Sequence, residues 1–230
     1  MNIDPKEVQK FDDLSANWWD RQGTFKTLHD INPLRIKFIE DQISLANKKI
    51  IDIGCGGGIL TESLALKDAQ MTGIDLSENA IQCAKAHAQQ NGLLINYQHI
   101  SAETMAEQHP AAFDVVVCME LLEHVPNPAA LIKACSELCK PGGHLFFSTI
   151  NRNPKAYLLT VVAAEYIFKM LPRGTHDYKK FITPAELEQD CRAAGLTAKH
   201  FCGISYIFFN KQFKLSKDIS VNYLLHCIKD

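Results

Sequence analysis

The sequence predicts an α/β fold: a doubly wound, mostly parallel sheet of seven strands, closed at its C-terminal edge by an antiparallel hairpin. Three observations carry this expectation. Short β-branched apolar runs alternate with helical stretches as far as residue 150. The first of these runs ends in Gly54-Cys55-Gly56-Gly57-Gly58 and feeds directly into a helix. Two late apolar runs follow the last helix with no helix between them, as antiparallel neighbours do.

The elements follow in order. Lys49 to Ile53 is the first strand, and Ile59 to Lys67 the helix after the glycines. Gln70 to Ile74, Ile95 to Ile100, Phe113 to Cys118 and Gly143 to Ile150 repeat the strand pattern, with helices at Asn79 to Gln90 and Pro128 to Cys139. Pro141-Gly142-Gly143 reads as a turn into the fifth strand. A helix at Pro184 to Ala194 precedes the two late strands, Ala198 to Phe208 and Val221 to Ile228. Upstream of the sheet, Phe11, Trp18-Trp19, Phe25 and Leu28 suggest an apolar helical lid within residues 1–45. With no internal repeat or low-complexity linker, the 230 residues read as one domain.

Composition narrows the function classes. The chain is 47% hydrophobic, too rich for a disordered segment, and 24 basic against 26 acidic side chains lack the surplus a non-specific nucleic-acid binder needs. The eight cysteines include no Cys-x-x-Cys pair, and the start Met1 to Glu7 lacks the apolar stretch of a secretory signal, so reduced thiols in a cytoplasmic protein are expected.

The stretch Ile50-Ile-Asp-Ile-Gly-Cys-Gly-Gly-Gly58 carries the chemistry. Glycines let a ligand lie against bare main chain, and the following helix offers free N–H groups. Asp75, 21 positions after Gly54, ends the second strand, where a carboxylate accepts ribose hydroxyls. Dinucleotide sites usually read G-x-G-x-x-G, but the sixth position here is Ile59. Asp52 would also repel a pyrophosphate, whereas it suits a cationic amine. S-adenosylmethionine is therefore favoured over NAD, and an oxidoreductase is the disfavoured alternative.

The blocks Asp52 to Leu60, Cys118-Met-Glu-Leu-Leu-Glu-His-Val-Pro126, Phe147 to Asn153, Gly174-Thr-His-Asp177 and Lys180-Phe-Ile182 resemble the ubiquinone biosynthesis O-methyltransferase family. Trp18-Trp19-Asp20, Ile31 to Arg35 and Val221 to His226 extend the resemblance over nearly the whole chain. It implies a class I, Rossmann-like methyltransferase with S-adenosylmethionine contacts at Arg35, Gly54, Asp75 and Met119. It also implies a polyprenylated catechol or hydroquinone substrate, dependence on Mg²⁺, and contact with other proteins of the pathway. Enzymes of this fold commonly place an acidic residue after the third strand for the adenine amine. Ile100-Ser101-Ala102-Glu103 departs from that, leaving Ser101 or main chain as candidates and the adenine contact open.

Glu120-Leu121-Leu122-Glu123-His124 follows the fourth strand. Were the segment helical, Glu120, Glu123 and His124 would share one face and suit a divalent cation that keeps waters for substrate oxygens. Without a metal, His124 is the candidate general base and Glu120 a candidate partner. The bland alternative is that these side chains only brace the turn before Pro126.

Pro154 to Leu171 is greasy, with Tyr157, Val161, Ala164, Phe168 and Leu171 at helical spacing and Arg173, His176, Lys179 and Lys180 following. Two charges interrupt it, which argues against a spanning helix. An inserted amphipathic segment over 151–182 can lie on an anionic membrane surface or pack on the protein itself. His29 and His176 are further candidates to approach the substrate. A small soluble phenol as acceptor and a non-catalytic scaffold are the remaining alternatives.

Overall fold

Strand runs and capped helices alternate along the chain because each helix starts at a residue that satisfies its free N–H groups. A computed structural model describes residues 2–159, 178–207, 209 and 211–230. Helices α1 (Pro5–Leu14) and α2 (Lys26–Glu40) precede strand β1 (Lys49–Ile53), followed by α3 (Ile59–Ala65), β2 (Gln70–Asp75) and α4 (Glu78–Gln90). Then come β3 (Asn96–His99), α5 (Ala102–Gln108), β4 (Phe113–Met119), α6 (Pro128–Leu138), β5 (Cys139–Ile150) and the short α7 (Pro154–Ala156). Helix α8 (Pro184–Ala193) and strands β6 (Leu196–Ile207), β7 (Gln212–Ser216) and β8 (Asn222–Lys229) complete the order. Ser77, Ser101 and Asn127 cap α4, α5 and α6, and Thr183 with Glu186 forms a reciprocal capping box on α8.

The strands form one sheet in the order β3-β2-β1-β4-β5-β8-β6-β7, parallel from β3 through β5. Strand β8 inserts antiparallel between β5 and β6. The sheet has eight strands rather than the expected seven. The addition, β7, pairs antiparallel to β6, and its alternating Phe213 and Leu215 pack toward the α2 side. Strand β5 also begins earlier than expected. Cys139 pairs with Phe113 and His144 with Val115, so Pro141-Gly142-Gly143 is an irregularity within the strand rather than a turn before it.

Strand alternation sends Ile51, Val116, Cys118, Phe147 and Leu225 to the face covered by α5, α6 and α8. Ile50, Val115, Val117, Phe146 and Leu224 face α2 and α3. Because β1 pairs with both β2 and β4, the winding reverses beside it, and the crevice at the carboxyl ends of β1 and β4 is the ligand position of such sheets.

The predicted helix over Pro154 to Leu171 is described only to Leu159; residues 160–177, including His176, lie outside the described residues. Among the described residues no helix is long and apolar enough to cross a membrane.

Candidate active site

A cleft opens at that reversal point, lined by the glycine loop, the ends of β2 and β4, and α1. Gly54 and Gly56 both have positive φ, at 71° and 52°. A side chain at Gly54 would strike Leu121, and one at Gly56 would strike the Trp18 ring, which lies over the loop. Trp18 stacks on Phe25 at 3.8 Å, and Trp19 donates from Nε1 to the Gly57 carbonyl at 3.0 Å. The paired tryptophans thus fasten the N-terminal segment to the loop. His29 joins the same contact, its Nε2 lying 2.9 Å from the Trp18 carbonyl, and so serves the lid.

Asp75 ends β2 beside the loop and accepts from the Gly56 N–H at 2.9 Å and the Ser77 N–H at 2.8 Å. Burial raises its pKa, partly opposed by these bonds. Asp52 is more deeply enclosed. It accepts a 2.6 Å hydrogen bond from Thr61 Oγ1, and burial pushes its carboxyl up to about 7 against the pull of that bond and of Arg35. Arg35, from α2, is 5% exposed, and its Nε and Nη2 make no hydrogen bond. The nearest carboxylate to Nη2 is Glu120, at 3.6 Å. Met119, the last residue of β4, is buried in the cleft wall.

Glu120 has φ 55°, in the left-handed region that non-glycine residues avoid. Its N–H donates to the Ser148 carbonyl and Oγ, and its carboxylate accepts from Ser148 Oγ at 2.7 Å and from Asn222 Nδ2 at 3.3 Å. Glu123 is buried and accepts from Thr149 Oγ1 at 2.8 Å; burial, then the Glu120 charge, raises its pKa. His124 turns another way, its Nδ1 lying 3.0 Å from Glu7 Oε2 and its ring meeting Phe11 edge-on. Glu7 is held down at about 2, chiefly by that hydrogen bond. Lys180 reaches Asp4 and Glu7 at 3.2 and 3.4 Å.

This arrangement corrects the expected shared helix face. Leu122–His124 is a single 3-10 turn, and Glu120, Glu123 and His124 point to three separate sets of partners. Among the described residues no three His, Cys, Asp or Glu side chains are placed to hold one ion. Mg²⁺ therefore does not fit the donor set as it is arranged.

The family profile described as a methyltransferase domain matches residues 29–200. Two relatives named ubiquinone biosynthesis O-methyltransferase, from Pseudomonas putida (strain W619) and Stutzerimonas stutzeri (strain A1501), are 52% and 54% identical over 229 residues. Each alignment covers 100% of this chain and 99% of the relative. The chain belongs to the ubiquinone biosynthesis O-methyltransferase family. The fold is also shared with more distant structures. Magnesium protoporphyrin IX methyltransferase from Synechocystis PCC 6803, solved with bound SAM, aligns with TM-score 0.65 at 16% identity, covering 97% of each chain. A SAM-dependent methyltransferase from Thermotoga maritima aligns with TM-score 0.66 at 16% identity, covering 97% of this chain and 100% of that one.

As a member of this family the chain is an S-adenosylmethionine-dependent O-methyltransferase, and its cleft fits the co-substrate. Arg35 offers an unsatisfied buried guanidinium to the methionine carboxylate, and Asp52 lies near Arg35, where a carboxylate complements the amine. Asp75 stands at the ribose position of the sheet. The sequence reading missed Glu7, Ser148, Thr149 and Asn222. Ser148 and Thr149 fall in the block Phe147 to Asn153 and Asn222 in Val221 to His226, both already singled out by resemblance. Glu7 had no local signal, since it meets His124 from 117 positions away.

Proposed function

We propose that the protein methylates a hydroxyl of a polyprenylated catechol or hydroquinone in ubiquinone biosynthesis, of the 2-polyprenyl-6-hydroxyphenol and 3-demethylubiquinol type. The observation that carries the cofactor half of this reading is Arg35, a buried cation with two unused donors beside Asp52 in a glycine-lined cleft. The names of relatives more than 50% identical support the acceptor half. When bound, S-adenosylmethionine supplies an electrophilic methyl group on a sulfonium. The chain supplies alignment: Arg35 and Asp52 hold the amino-acid end, Asp75 the ribose, and Met119 flanks the adenosyl group.

A phenol has a pKa of about 10, so offering phenolate at pH 7 costs roughly 4 kcal/mol. His124 relieves that cost by accepting the proton at Nε2 while Glu7 holds Nδ1–H and fixes the tautomer. No step is routed through a metal. The assay that tests the function is turnover of a short-tailed catechol with S-adenosylmethionine, set against a tail-free catechol. Preference for the tailed acceptor supports the proposal, and turnover of tail-free phenols alone points to a small soluble substrate. Calorimetric titration with NADH, expected to show no binding, separates the oxidoreductase alternative.

Asp52 makes cofactor affinity depend on pH. Its carboxyl titrates near 7 in the free protein, and an ammonium ion bound beside it lowers that value. Binding must then expel a proton below pH 7, so affinity for S-adenosylhomocysteine is expected to rise from pH 6 and level off above 7. Calorimetry in two buffers of different ionisation heat reads the released proton. Asp52→Asn should flatten the profile; an unchanged slope in that variant would rule the assignment out.

We also propose that the segment 154–180 rests on an anionic membrane surface, which keeps a lipid-tailed acceptor in the bilayer while its ring enters the cleft. Tyr157 and Leu158 are exposed at its described start, and Phe209 is fully exposed. Phe168→Asp with Leu171→Asp is expected to abolish flotation with anionic liposomes. Folded double variants that float like the parent would refute the membrane role.

A further inference from the structure

The adenine end of the cleft contains an acceptor without a donor. Beyond Asp75 the wall continues through Leu76, Ile100, Ala102 and Leu131, an apolar slot at the carboxyl ends of β2 and β3. Glu103, in the first turn of α5, lines this slot, and its Oε1 is buried with no hydrogen-bond partner. An unpaired buried polar atom is rare in a folded protein and calls for a physical reason, of which an absent ligand group is one. Ser101, which the sequence offers for the same role, is committed elsewhere. Its Oγ accepts from the Thr104 N–H at 3.1 Å and donates to Thr104 Oγ1 at 3.0 Å, capping α5. Ser101 also does not line the cleft, whereas Glu103 does.

We propose that Glu103 accepts a hydrogen bond from the exocyclic amine of the adenine ring and thereby selects an adenosyl over a 6-oxopurine cofactor. This rests on the reading of the cleft as the S-adenosylmethionine site. A carboxylate oxygen only accepts, so it pairs with the amino group of adenine and faces the carbonyl oxygen of hypoxanthine with two acceptors opposed. The apolar walls around it keep water from softening that mismatch. Recognition is thus by discrimination as well as attraction. Ribose and amino-acid contacts are common to both cofactors, so the purine edge alone separates them.

The experiment is a calorimetric comparison of S-adenosylhomocysteine with S-inosylhomocysteine on the full-length protein and on Glu103→Gln and Glu103→Ala. The wild-type protein is expected to bind the adenosyl ligand about 10- to 100-fold more tightly, the range of a hydrogen bond to a charged group. Glu103→Ala should lose most of this preference. Glu103→Gln, which can turn an amide N–H toward the carbonyl oxygen, should narrow or invert it while conserving side-chain size. Thermal melts of both variants confirm folding. Wild-type protein that binds neither ligand overturns the cofactor reading itself. Wild-type protein that binds both equally, or folded variants that keep the full preference, overturns the role of Glu103 while leaving that reading intact.

Discussion

Replacing Arg35 with methionine should weaken S-adenosylhomocysteine binding by about 100-fold, the scale of losing a buried charge-assisted pair, without lowering the melting temperature of the free protein. The two halves of this expectation have one cause. In the free protein the guanidinium is buried, two of its nitrogens have no partner, and its only carboxylate neighbour within ion-pair range is 3.6 Å away. Such a cation is a burden on the fold until a ligand carboxylate arrives. Methionine keeps the apolar stem packed and removes the unsatisfied charge. Glu120 keeps its bonds to Ser148 and Asn222, and Asp52 keeps Thr61, so neither is stranded. Thermal shift with and without ligand reads both effects together, because the ligand-induced rise should vanish in the variant. A variant that binds within threefold of the parent would show that Arg35 is structural.

The cofactor half of the site was legible in the sequence because it is local. Asp52, Gly54 and Gly56 lie within five residues on one strand end and loop, and Asp75 ends the adjacent parallel strand, so spacing nearly specifies the geometry. The acceptor half was not legible, because long-range partners decide where its side chains point. A carboxylate pair three apart predicts a shared helix face only if the backbone is helical. Glu120 instead takes φ 55° and turns toward β5 and β8, which sends Glu123 to Thr149 and leaves His124 for α1. Propensity had no access to that, since the partners sit 28, 26 and 117 positions away. The eighth strand was overlooked for the opposite reason. Gln212–Ser216 is so short that two alternating apolar residues are its whole signal.

His124→Ala should lower kcat by about 100- to 10,000-fold, the usual scale for a positioned proton acceptor, with little change in affinity for S-adenosylhomocysteine. The ring is poised for this by a carboxylate that stays ionised. Glu7 titrates near 2, far below its usual range, because His124 hydrogen-bonds to it. Through the neutral range Glu7 therefore accepts from Nδ1 and stabilises the imidazolium that forms as the phenol proton arrives. Lys180 and Asp4 hold Glu7 from its other side, tying α1 to the cleft mouth. Glu7→Gln keeps an acceptor but removes the charge, so it should cost less, about tenfold in kcat. Since no metal site is formed by Glu120, Glu123 and His124 as they are arranged, turnover should survive EDTA. Loss of turnover that Mg²⁺ restores would mean that the three side chains abandon Ser148, Thr149 and Glu7 and converge on an ion once the catechol is in place. In that case His124→Ala and Glu123→Gln would fail alike, whereas a base at His124 predicts that only the first abolishes turnover.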